Sequence, residues 1–161
     1  MTRTTVGPRQ STPHAQQGLA AIEFALIATV MLVMLMGLFV FWRAFQAQQS
    51  LTRAVGDGAR MAHSLIAAGK YYPCGVTEAP TNQQYILSAI QSLVQTSLEL
   101  SDMPGQVSSN LHFDPPSWSC STGQFSFQVR YTLPPLMGEG TLEFEPAQLT
   151  EKSVVHFAPL I

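Results

Sequence analysis

A run of nineteen residues without a charge, Phe24–Trp42, constrains this chain more than any other feature. At about 1.5 Å per residue a helix of that length covers roughly 28 Å, and with Leu19–Ile22 added it meets the ~30 Å hydrocarbon core of a bilayer. Only Thr29 and Gly37 interrupt its apolar character. The run therefore reads as a transmembrane segment over about residues 20–42. Glu23 at its mouth is then an anomaly. A carboxylate costs about 2.5 kcal/mol or more near the centre of such a helix and less toward an end. Either a partner compensates it, or the side chain snorkels back to the membrane boundary.

The flanks set the orientation. The first eighteen residues carry Arg3 and Arg9 and no acid, whereas Arg43, Arg53 and Arg60 follow the run with Asp57 among them. Excess positive charge stays on the cytoplasmic side, but these flanks are almost balanced; a short polar tail before the first apolar helix resembles a signal-anchor, so the expected topology is N-terminus in and C-terminal part outside the cytoplasm. A cleaved secretory signal would have an apolar core of about 7 to 15 residues and small residues at its cleavage site. This run is longer, and Trp42-Arg43-Ala44-Phe45 follows it.

The 161 residues leave room for one small domain beside the membrane segment, and no internal repeat is visible. Met1–Gln17, rich in Thr, Ser, Pro and Gln, reads as a disordered leader. Beyond Trp42 the helical pattern continues, with Leu51, Val55, Ala59, Ala62 and Ile66 forming one apolar stripe. One long helix over about Leu19–Ala68 follows, with Gly56 and Gly58 marking a bend or a close helix contact. Gly69 supplies its cap and Pro73 stops it. Thr81-Asn82-Gln83-Gln84 matches a capping box, predicting a second helix with apolar positions Ile86, Ile90, Val94 and Leu98, ended by Pro104-Gly105.

The remainder reads as strand. Asn110–Phe113 is a weak candidate, and Phe125, Phe127, Val129, Tyr131 and Leu133 alternate strongly with polar residues until Pro134-Pro135. Gly140–Phe144, after a turn at Gly138-Glu139-Gly140, and Lys152–Phe157 would complete a small antiparallel sheet. The expected fold is α+β, with residues 1–18 as leader, 19–69 as the long helix and 70–161 as an extracytoplasmic domain.

Several chemistries find no support. A net charge of -2 with 11% charged residues argues against nucleic acid as a partner. His14, His63, His112 and His156 stand at no metal-ligand spacing, so neither a metal nor a cofactor is expected. Glu139, Glu143, Glu145 and Glu151 crowd near the C-terminus, but a solvated strand face explains them better than an acid and base pair. No catalytic motif occurs and the chain is not expected to be an enzyme. Cys74 and Cys120 both fall in loops of the part expected outside the cytoplasm. A disulfide between them is the favoured reading, against two unpaired thiols.

Gly18 followed five residues later by Glu23 and then Phe24 resembles the processing site of type IV prepilins, whose inner-membrane peptidase cuts after such a glycine. The cut would fall between Gly18 and Leu19. Taken with Phe45-Gln-Ala-Gln-Gln-Ser-Leu-Thr-Arg-Ala-Val-Gly-Asp-Gly-Ala-Arg60, the stretch from about 17 to 62 is similar to the TadE-like pseudopilins of tight-adherence (Flp-type) pilus systems. Val129-Arg130-Tyr131 before Pro134-Pro135 adds a looser likeness. Leu19, where conventional pilins carry Phe, and a domain larger than the small major Flp subunit favour a minor subunit. The resemblance implies assembly roles for Glu23 and Phe24, with Glu23 meeting the new N-terminal amine of a neighbour. It also implies a prepilin peptidase, other pseudopilins and pilus subunits, and inner-membrane lipid as partners. The alternatives are a membrane-anchored periplasmic binding module and a type II secretion pseudopilin.

Overall fold

The computed structural model describes residues 14–136 and 146–158, with side chains from Gly18 onward. The turn at Gly138–Gly140, the strand expected over Gly140–Phe144, and Glu139, Glu143 and Glu145 lie outside the described residues, as does most of the leader. Two units divide the chain, Met1–Phe39 and Val40–Ile161. Helix α1 runs through both, His14–Ala67. It begins earlier than the expected Leu19, so His14–Gln17 are helical rather than part of a disordered leader. Ala15, Gln16 and Gln17 contain no helix breaker.

In the first unit nearly every side chain of α1 points into open space, from Leu19, Ile22 and Phe24 to Leu38 and Phe39. Its length and composition suffice to cross a membrane. The polar Thr29 does not disturb that, because its Oγ1 donates to the Ala25 carbonyl at 2.8 Å, one turn back.

The second unit is an α+β domain of two layers. Along α1, Leu51, Ala54, Val55, Ala62 and Ile66 are buried on one stripe. Helix α2, Ala79–Leu100, contributes Ile86, Ile90, Val94 and Leu98. Both stripes pack in one core with Phe125, Phe127, Val129, Tyr131 and Leu133. Gly58 explains how closely the layers approach, since a Cβ there would lie 3.1 Å from both Ile90 and Val94 and 3.7 Å from Phe127. Gly56 meets nothing within 4 Å and makes no such contact. Gly69, at φ 72°, ends α1 in the left-handed conformation, its N–H donating to the Ile66 carbonyl.

The expected capping box is not used. Helix α2 starts two residues before Thr81, with Glu78 as an N-cap that makes no side-chain bond and Pro80 in the first turn. A proline suits that turn because its missing N–H would have had no helical partner. Asn82 and Gln83 reach backward instead: Asn82 Nδ2 donates to the Tyr72 carbonyl at 2.9 Å and Gln83 Nε2 to that of Pro73 at 2.7 Å. These bonds fasten the start of α2 to the loop carrying Cys74.

After a short helix α3, Val107–Asn110, come strands β1 (Leu111–Phe113), β2 (Ser117–Ser119), β3 (Gln124–Thr132) and β4 (Gln148–His156). The sheet is antiparallel and centred on β3. Strand β4 pairs with the whole of one edge of β3, Gln124 opposite His156 through Thr132 opposite Gln148. The other edge is shared, β1 lying beside Val129–Tyr131 and β2 beside Gln124–Ser126. Pro115-Pro116 separates these two short strands, because proline has no N–H to give to a ladder. The Asn110–Phe113 expectation thus contracts to β1, its first residue closing α3, while β2 carried no sequence signal. Strand β4 begins four residues earlier than expected at Lys152.

Candidate functional site

Gly18, Leu19, Glu23 and Phe24 occupy consecutive turns of α1. Glu23 follows Leu19 by four residues, so the two lie on one face, a turn apart. Phe24 and Leu19 are 74% and 71% exposed, and nothing comes within 4 Å of a Cβ placed at Gly18. Glu23 is exposed too, and among the described residues its carboxylate has neither a hydrogen bond nor an ion pair. The arrangement is an uncompensated negative charge on an otherwise greasy, unpacked helix surface. Such a surface can bind another apolar helix, and the carboxylate can accept from any ammonium that arrives with it.

Residues 18–60 match the TadE-like protein family. No curated protein and no solved structure matches the chain. The TadE-like stretch takes in Gly18, Leu19, Glu23 and Phe24, the apolar run, and α1 as far as Arg60. It therefore covers the exposed helix and part of the stripe that packs in the domain, including Gly58. Arg60 itself points outward, its Nη1 paired with Asp57 at 3.0 Å. An exposed pair of this kind stabilises little.

Beyond the TadE-like stretch, Cys74 and Cys120 form a disulfide, with Cα atoms 5.7 Å apart. It joins the loop before α2 to the turn before β3. Arg130 forms an ion pair with Asp114 at the break between β1 and β2. Glu151, of the acidic group near the C-terminus, accepts a hydrogen bond from Gln48 Nε2 at 3.1 Å. It thereby ties β4 to α1.

The domain surface also carries features that sequence reading missed. A cleft of about 790 Å³ is lined by His63, Ile66, Tyr72, Val76, His156 and Phe157. His63 and His156 stand far apart in sequence, so no local spacing could announce their meeting. Among the described residues no group of three His, Cys, Asp or Glu is placed to hold a metal ion. The Tyr71 ring stacks on Tyr85 at 4.1 Å with Lys70 over it. The hydrogen bond between the two phenols lowers the pKa of Tyr71 and raises that of Tyr85. A polar cleft of about 360 Å³ lies between α1 and the turn after α2, with Arg43, Arg53 and Asp102 in its walls.

Proposed function

We propose that this chain is a minor pseudopilin of a Tad (Flp-type) pilus system. On this reading α1 crosses the bacterial inner membrane once, with its N-terminus in the cytoplasm and the α+β domain in the periplasm. A prepilin peptidase removes residues 1–18, and the mature chain, beginning at Leu19, helps to assemble the filament with other pseudopilins and pilus subunits. The role is structural and no reaction is assigned to it.

One observation carries the proposal. Within the TadE-like stretch, an exposed Glu23 with no partner among the described residues stands five residues after Gly18 on an apolar helix. Cleavage changes the electrostatics of that position. In the uncut helix Glu23 lies in the interior of α1, whereas in the mature chain it lies one turn from the helix N-terminus. There the partial positive charge of the free N–H groups favours a carboxylate. The new amine of Leu19 is a second misplaced charge, and pairing it with Glu23 of a neighbour relieves both. Docking and register of adjacent helices follow from that pairing.

The test is the N-terminus of the native protein, read by sequencing or intact mass in cells with and without the prepilin peptidase. A chain beginning at Leu19 only where the peptidase is present is the expected result. Retention of the first eighteen residues in peptidase-positive cells would overturn the proposal in favour of a tethered binding module.

A further inference from the structure

Phe41 belongs both to the charge-free run and to the folded domain. With Ala44, Phe45 and Gln48 of α1 it lines a shallow apolar cleft of about 200 Å³, whose other wall is Pro146 and Leu149 at the start of β4. Phe41 and Phe45 are 49% and 65% exposed, and Trp42 between them is 60% exposed. At the same level Arg43 Nη2 donates to the Pro134 carbonyl at 2.7 Å, holding the end of the β3 segment against the helix.

Depth along α1 fixes what surrounds this cleft. Phe45 follows Trp42 by three residues, about 4.5 Å of helix rise. The headgroup layer on each side of the hydrocarbon is about 5–7 Å thick. If residues 20–42 span a bilayer, Phe41 and Trp42 end the hydrocarbon span and Phe45 lies within that layer, where aromatic rings are favoured. Residues that share a cleft with Phe41 must lie at the same depth. We propose that the approach to β4, at the half-buried Pro146 and the exposed Ala147, rests on interfacial phospholipid, with the buried Leu149 as the floor of the cleft, giving the domain a second membrane contact that is not part of the spanning helix. Upper acyl methylenes fill the apolar cleft. The effect is to hold the domain against the bilayer rather than leave it free on a stalk.

This inference rests on the transmembrane reading of residues 20–42, and the experiment separates the two. Full-length protein with Trp42→Phe and Trp118→Phe is reconstituted in phosphatidylethanolamine and phosphatidylglycerol vesicles whose acyl chains carry bromine both near the glycerol and near the methyl end, so that tryptophan at any depth of the hydrocarbon is reached. A single tryptophan is then introduced by Leu32→Trp, Pro146→Trp, Ala147→Trp or Val154→Trp. Expected is loss of emission for Leu32→Trp and Pro146→Trp relative to unbrominated vesicles, with Val154→Trp, six residues along β4 from its first residue, unquenched. Quenching of Leu32→Trp with both Pro146→Trp and Ala147→Trp unquenched would overturn the lipid contact and leave the span standing, as it would if a neighbouring subunit's helix filled the cleft. An unquenched Leu32→Trp would overturn both. Equal quenching of Val154→Trp would overturn the localised contact. If Pro146→Trp does not fold, Ala147→Trp decides by the same readout.

Discussion

Gly58 on α1 lies against Val94 on α2 so closely that a Cβ at position 58 would stand 3.1 Å from the valine Cγ2. The contact is between helix surfaces, so a larger side chain must push the layers apart or leave its rotamer. Gly58→Leu is expected to lower domain stability by about 1–3 kcal/mol, the usual cost of overpacking. Gly56→Ala is the control two residues away. With nothing within 4 Å of its Cβ, it should raise stability by up to ~1 kcal/mol through helix propensity alone. Urea unfolding of the detergent-solubilised chains compares them, and equal midpoints for wild type and Gly58→Leu would contradict the packing.

The Cys74–Cys120 disulfide spans 46 positions of sequence. Closing a loop of that length restricts the unfolded chain and is expected to contribute about 4 kcal/mol, less any strain. Cys74→Ser, or reduction of the wild type, should therefore shift the urea midpoint strongly downward. The tie also fastens the loop between α1 and α2, to which Asn82 and Gln83 anchor α2. The start of α2 should consequently lose amide-exchange protection in the reduced protein before its centre does. Identical unfolding with and without reductant would show that the bridge does not form in solution.

Tyr131 is fully buried in the core, and its hydroxyl donates to the Pro104 carbonyl at 2.8 Å. Burial raises its pKa above the ordinary value of 10, with Asn110 and Arg43 pulling it partly back. The folded protein then holds the phenolic proton more tightly than the unfolded chain does. The stabilisation is complete below about pH 10 and is lost as pH rises through the folded pKa. Tyr131→Phe should cost about 1 kcal/mol at neutral pH, from the lost hydrogen bond. Above pH 10 its stability should fall less steeply than that of wild type. Parallel slopes in that range would remove Tyr131 as the source.

Local pattern made part of this fold legible. Ile86, Ile90, Val94 and Leu98 announce α2, and Phe125 to Leu133 announce β3, because each element buries a single face and the period records which one. The start of α2 was misread because its anchors are tertiary. Asn82 and Gln83 bond to carbonyls ten residues back, so the threonine that resembled a cap is not needed as one. Strand β2 left no trace, since the three residues Ser117–Ser119 are too few to establish a period. It forms because Pro115-Pro116 stops β1 and leaves half of one β3 edge open. Glu23 was visible because its oddity is local, a charge in a greasy stretch. The cleft of Phe41 and Phe45 with Pro146 and Leu149 was invisible, since about a hundred residues separate its walls.

Glu23 also gives the sharpest functional prediction. Its carboxylate has no partner among the described residues, so its replacement should leave the folded domain and the peptidase cut intact. On the proposed pilus reading, what it should remove is the contact with a neighbour's new amine. Breaking a buried pair leaves the other charge uncompensated at a cost of about 3–5 kcal/mol, and each 1.4 kcal/mol is a factor of about ten in affinity. Glu23→Gln and Glu23→Ala should therefore both yield mature protein beginning at Leu19, with co-purification of partner pseudopilins and sheared surface pili reduced by two orders of magnitude or more. Glutamine keeps the size and hydrogen-bonding capacity but not the charge, so its failure together with alanine would assign the effect to charge. Were both variants to assemble normally, Glu23 would be no more than a side chain snorkelling at the membrane boundary, and register would have to come from the apolar face alone.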